Sequence, residues 1–173
     1  MAEINWGSVA DWVSGIGSLS AAAVALYLAR KAEKIKLKGY CGLRVIIGQG
    51  MPRIDVVTVS VTNIGTRSTI VNNIGLQVGK GRKKRLAIIT VAKDAYSVGV
   101  PFSLTDGQIA SWSIQLDAEK SWIRDLCKDF VTTKDDVDTL RFSIYTNHDE
   151  NLLISPEDNL KKALLEAIVN NKP

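Results

Sequence analysis

A single histidine, His148, and two cysteines, Cys41 and Cys127, are all that 173 residues provide for soft-metal or thiol chemistry. That scarcity excludes zinc fingers and ribbons, whose four ligands need Cys and His repeated at short spacing. His148 falls in NHDEN, a polar turn whose Asn147, His148, Asp149 and Glu150 are expected to point into solvent rather than around a cation. Asp135, Asp136 and Asp138 in TTKDDVD lack the glycine and terminal glutamate of an EF-hand loop and read as a solvated acidic loop. No serine lies in a nucleophile elbow, and Gly79 and Gly81 bracket Lys80 without the remainder of a phosphate-binding loop. The pattern predicts a chain that is not an enzyme and has no catalytic residue, no metal and no cofactor. Two cysteines are also few for a disulfide-stapled extracellular fold. Cys41, opening a strand, and Cys127, on a helix, read as small, reduced core residues.

Charge is missing from one stretch. Between Val13 and Ala29 the only side chains that are not apolar or small are the hydroxyls of Ser14, Ser18, Ser20 and Tyr27. At ~1.5 Å per residue this run reaches roughly 25 Å, close to a bilayer's hydrocarbon thickness. Trp6 and Trp12 precede it and Tyr27 and Arg30 close it, as interfacial residues do. Before Trp12 the charged residues are Glu3 and Asp11; after the run come Arg30, Lys31, Lys34, Lys36 and Lys38 against Glu33. That asymmetry predicts a single-pass inner-membrane helix with the N-terminus outside and the bulk of the chain in the cytoplasm. The competing reading is a cleaved signal sequence and an exported periplasmic ligand-binding domain, for which AAA and AVA supply small-residue sites. It lacks the positive n-region, and the basic cluster after the run resists translocation. Ser14, Ser18, Ala22 and Ala25 form one stripe flanked by Gly17 and Ala21, a small-residue face of the kind through which helices associate in lipid, so a homo-oligomer is expected.

The remaining residues suffice for one domain with its own core. DVVTVSVT at 55–62 alternates Val57, Val59 and Val61 with Thr58, Ser60 and Thr62, a half-buried strand, and NIGTRS is a turn in which Gly65 is expected to supply positive φ. Strand-like runs recur at 40–47, 69–78, 86–91, 108–116, 139–145 and 152–155, with Trp112, Ile114 and Leu116 and then Leu140, Phe142 and Ile144 inward, and Ser111, Ser113 and Gln115 outward. Asp117 precedes a helical stripe of Trp122, Ile123, Leu126, Cys127 and Phe130. Ser155, Pro156 and Asp158 announce another, of Leu160, Ala163, Leu164, Ala167 and Ile168. The expected fold is mainly β: residues 1–38 as tail, transmembrane helix and basic juxtamembrane segment, then 39–173 as an immunoglobulin-like antiparallel β-sandwich with two packed helices.

Positive charge is concentrated in two places, residues 30–38 and the KGRKKR run of Lys80, Arg82, Lys83, Lys84 and Arg85, so with a net charge of +4 the rest of the chain is acidic on balance. Between two strands the run is a basic hairpin tip, suited to anionic lipid, nucleic acid or an acidic protein, or simply a solvated turn that blunts a sheet. No aromatic residue is interleaved with it, which disfavours nucleic acid and leaves anionic lipid or a protein partner. If both runs met one leaflet, the domain would lie flat on the membrane.

The segments WGSVADWVSGIGSLSAAAVALYLARK, VSVTNIGTRSTIVNNIGLQV and LTDGQ together resemble a class of bacterial and prophage-encoded proteins with one N-terminal anchor and a cytoplasmic β-sandwich. The resemblance implies a phage or bacterial setting such as superinfection exclusion or antiphage defence and transfers no catalytic residue; the residues themselves point to a non-enzymatic interaction or sensing module. A structural protein of a membrane-containing virion is the alternative from a different class.

Overall fold

A computed structural model describes residues 8–32, 35–148 and 151–171. The chain divides into two compact units between Lys34 and Ile35. The first unit is one helix, α1 (Val9–Ala32). Ser8 and Asp11 close its start as a capping pair: the Ser8 amide donates to the Asp11 carboxylate at 2.8 Å and the Asp11 amide to Ser8 Oγ at 3.3 Å. Over Val9–Arg30 the helix is long and apolar enough to cross a membrane, with none of that span buried. Its apolar side chains surround the axis instead of forming the stripe that a helix lying on a domain requires.

Among its described residues the second unit carries eight strands and three α-helices: β1 (Leu37–Ile46), β2 (Ile54–Asn63), β3 (Thr69–Val78), β4 (Arg85–Ile89), β5 (Phe102–Leu104), β6 (Ile109–Leu116), α2 (Ser121–Asp129), α3 (Lys134–Thr139), β7 (Arg141–Thr146), β8 (Leu152–Ile154) and α4 (Asp158–Asn170). Two antiparallel sheets form, one in the order β1-β2-β6, the other β4-β3-β7-β8 with β5 also on β3. Alternation decides which face is covered. Val57, Val59, Val61 and Trp112 from the first sheet join Ile74, Leu76, Phe142 and Ile144 from the second in one buried core. Ile123 and Cys127 of α2 and Leu160 and Leu164 of α4 extend it, as the helical spacing predicts.

Several expectations need correction. Over the described residues helix and strand are balanced, 34% against 35%, so the chain is mixed rather than mainly β. The TTKDDVD stretch is not a solvated loop but the capped helix α3: Thr133 Oγ1 accepts from the Asp136 amide at 3.1 Å and Asp136 accepts in return from the Thr133 amide at 3.1 Å. Thr132 also donates its amide to Asp136, at 3.1 Å. Helix α2 begins only at Ser121. Asp117 still serves its start, since its carboxylate accepts the Ser121 amide at 2.8 Å and the Ser121 hydroxyl. Gly65 is not among the positive-φ glycines, which are Gly50, Gly79, Gly81 and Gly107. The turn after β2 is set instead by Asn63, whose Oδ1 accepts the Gly65 amide at 3.0 Å while its Nδ2 donates to the carbonyls of Arg67 (2.8 Å) and Leu104 (3.1 Å). Ser60 and Ser113 lie on the outer face, as alternation places them, yet are buried there. Ser60 bonds Ser111 at 2.8 Å, and Ser113 bonds Thr58 at 3.0 Å, so cross-strand hydroxyl pairs close the outer face of the central strand.

Candidate functional site

The six small residues expected to associate, Ser14, Gly17, Ser18, Ala21, Ala22 and Ala25, all fall within α1 and are all exposed. A Cβ built on Gly17 meets nothing within 4 Å, so the stripe is open along its length.

Within the β-domain the described basic residues of the two runs fall at opposite ends of β3. Arg30 is exposed at the end of α1, Lys31 belongs to the same helix, and Lys34 lies outside the described residues, as do Trp6, Asp149 and Glu150. Lys36 and Lys38 are already part of the β-domain: the Lys36 carbonyl accepts the Ile64 amide at 2.8 Å, and Lys38 pairs with Thr62 in the β1–β2 ladder. Both therefore sit at the end of the domain where β2 passes into β3.

The KGRKKR run lies at the far end of β3. The ten residues of β3 at ~3.3 Å each place the run roughly 33 Å from Lys36 and Lys38. Gly79 and Gly81, both with positive φ, turn the chain, and Gly81–Lys83 form one turn of 3-10 helix. A Cβ on Gly79 would lie 2.5 Å from the Lys83 carbonyl oxygen, so glycine is required there. Lys80, Arg82, Lys83 and Lys84 are exposed.

Arg85 is different. It donates to Asp136 at 2.7 Å and its guanidinium lies 5.6 Å from the centre of the Phe130 ring, which ties the start of β4 to α3. Burial opposes ionisation of Asp136, but the hydrogen bonds from Arg85, Thr133 and the Thr132 amide outweigh it and hold the carboxyl below its ordinary range. Arg85 is thus a cation spent on the fold. The signal that distinguishes it was in the sequence, because Thr133-x-x-Asp136 is a capping-box spacing that fixes a carboxylate in place.

A second ion pair holds the opposite sheet. Arg44 meets Glu157 through two parallel bonds of 2.7 and 2.6 Å and lies 5.2 Å from the Tyr40 ring centre. Asn159 accepts the Leu43 amide at 3.2 Å and donates to the Leu43 carbonyl at 3.1 Å, so the start of α4 is fastened to the outer edge of β1.

Cys41 and Cys127 are both buried free thiols. Burial pushes the Cys127 thiol up to about 11 and raises that of Cys41 further, which keeps both protonated and unreactive. His148 departs from expectation, since its Nε2 is buried rather than solvated and has no hydrogen-bond partner among the described residues. Among those residues no three His, Cys, Asp or Glu side chains are grouped to hold a metal.

One further feature lies on β4, a strand the sequence shows without showing which of its faces stays open. Leu86 and Ile88, 62% and 66% exposed, project from the outer face of β4 beside Asn73 and Tyr145 and border a shallow hollow of about 700 Å³.

No family model matches the chain, and no curated protein matches it. Among solved structures, it is similar to the solution structure of a candidate late embryogenesis abundant (LEA) protein, at 17% identity over 84% of this chain and 81% of that one, with a TM-score of 0.34.

Proposed function

We propose that the protein is a single-pass inner-membrane protein, N-terminus outside, whose cytoplasmic β-domain is a non-enzymatic binding or sensing module. The observation that carries this reading is α1: an apolar helix of membrane-spanning length, with none of its Val9–Arg30 span buried, that closes on Arg30 and Lys31. The small-residue stripe supports self-association of the anchor in the bilayer. The strand orders β1-β2-β6 and β4-β3-β7-β8 support an immunoglobulin-like sandwich, because the chain crosses between the sheets from β2 to β3 and from β6 to β7 while β2 pairs with β6 and β3 with β7, as in a Greek key. A role in superinfection exclusion or antiphage defence is the biology we favour, since an oligomerising anchor with an internal binding domain suits a device that intercepts an incoming component at the membrane. Spheroplasts expressing the full chain, treated with external protease, test the topology. The domain is expected to survive, uncleaved and membrane-bound. Digestion of the domain, or loss of the residues before Leu26, refutes the placement and favours an exported protein.

A further inference from the structure

Sheet edges carry unpaired amides and carbonyls, and a domain must dispose of them. On the outer side of β1 the Glu157 amide donates to the Cys41 carbonyl at 2.8 Å and Asn159 takes both backbone groups of Leu43. On the outer side of β6 the Val98 amide donates to the Ser111 carbonyl at 3.1 Å, and Ser97 Oγ bonds both the amide and the carbonyl of Ser113. β5 and β8 are three residues each, and beyond β8 Pro156 bridges onto Cys41. β4 alone escapes this treatment. It pairs with β3 on one side, and among the described residues nothing bonds its other side.

The bare edge also has a bare face. Leu86 and Ile88 stand outward across from Gln77 and Gly75, and Gly75 leaves the sheet low between Ile88 and the Tyr145 ring. Such an exposed apolar edge is a liability unless something covers it.

Charge decides what. From Lys80 to Lys93 there is no Asp or Glu, and the turn leading into β4 presents Lys80, Arg82, Lys83 and Lys84 without an ion pair among the described residues. A second copy of β4 laid alongside in parallel would bring its own basic turn against this one, and laid antiparallel would leave both turns without an answering charge. Lipid headgroups would answer the lysines but leave the edge amides and carbonyls of β4 unmatched. An extended protein segment answers both requirements. We propose that β4 is a docking edge at which a partner protein adds one strand, with apolar β-branched residues over Leu86 and Ile88 and carboxylates against Lys80, Arg82, Lys83 and Lys84. This gives the binding module proposed above its partner class. It rests on that reading only in taking the domain as a binder, not on its side of the membrane.

The test uses the full chain in nanodiscs of zwitterionic lipid and fluorescent octapeptides of alternating valine and threonine. Three aspartates are placed at either end, to allow for antiparallel or parallel addition, and lysine-tailed peptides serve as controls. An aspartate peptide is expected to bind and to slow amide exchange specifically at residues 85–89, with affinity falling about tenfold from low to high salt. The exposed double substitution Leu86→Thr/Ile88→Thr should weaken it about fivefold while leaving the melting temperature unchanged. Lys83→Glu/Lys84→Glu should transfer the preference to the lysine-tailed peptide. Equal binding of both peptide charges, binding without protection of 85–89, or no binding overturns the proposal. So does a charge reversal whose sole effect is weaker association with nanodiscs of anionic lipid, which would make the turn a lipid contact. Peptide capture by a protein that external protease digests refutes the cytoplasmic placement and leaves the docking edge standing.

Discussion

Replacing Asn63 by alanine removes a side chain that joins three parts of the fold. Asn63 is fully buried, and its amide and carbonyl serve the Arg67 carbonyl, the Leu104 carbonyl and the Gly65 amide. The Leu104 and Gly65 groups lie in buried surroundings, so the substitution leaves two backbone groups without partners at about 1–3 kcal/mol each. A central value of about 4 kcal/mol corresponds to a fall in melting temperature of about 10–20 °C for a domain of this size. Thermal unfolding of the full chain in detergent, followed by near-ultraviolet circular dichroism, measures it. Asn63→Asp sharpens the test. The aspartate still accepts from Gly65 but turns a negative oxygen toward two carbonyls, and protonation restores one donor. Its stability should therefore rise relative to the parent as pH falls, opposite to ordinary acid denaturation. An alanine variant within about 1 kcal/mol of the parent, or an aspartate variant with no pH dependence of its own, would refute the assignment of the turn to this side chain.

Gly75→Ala should loosen β4, because the new Cβ would lie 2.6 Å from the Ala87 carbonyl oxygen and 2.9 Å from Tyr145 Cε2; a cost of about 1–3 kcal/mol and faster amide exchange at 85–89 are expected. Glu157→Gln should flatten the acid limb of the stability profile. The Arg44 hydrogen bond holds the Glu157 carboxyl below its ordinary 4.5, so its contribution is present above that pH and is lost as pH falls through the depressed value. The pair is more than a third exposed at Arg44, so the effect is small and is best read as the difference between two acid titrations. Gly17→Leu with Ala21→Leu should cut anchor self-association in bilayers about tenfold by energy transfer between labelled chains, and unchanged transfer rules out the small-residue face.

Legibility in the sequence followed the strength of periodicity. The run at 69–78 coincides with β3, and Val57, Val59, Val61, Leu140, Phe142 and Ile144 are buried as alternation requires. Where the structure depends on single long-range bonds, the pattern fell silent. The outer hydroxyls of Ser60 and Ser113 look like solvent positions until their cross-strand partners are known. β5 is three residues and carries no period. The candidate docking edge was half legible: the basic turn and the strand after it could be read, but not that β4 ends up at the margin of its sheet. Edge position is a property of strand order, and the same alternating string serves a central strand equally well.

Within the β-domain, the pair Lys36 and Lys38 and the basic turn before β4 are better treated as separate devices than as one membrane-facing surface. They lie roughly 33 Å apart along β3, against a Debye length of about 8 Å at physiological salt, so an anion held at one exerts almost no force on ions at the other. Lys36→Glu/Lys38→Glu and Lys83→Glu/Lys84→Glu should therefore have additive effects on every binding free energy measured, and the first pair should leave capture of an acidic strand at β4 unchanged. A flat-lying domain makes the opposite forecast. With both ends engaged on one leaflet, each cluster raises the effective concentration of the other at the surface, and losing either would weaken anionic-lipid association far more than its own cations account for. Vesicle binding by the two variants and their combination separates the cases, since additivity requires independent ends and a large coupling requires a shared surface.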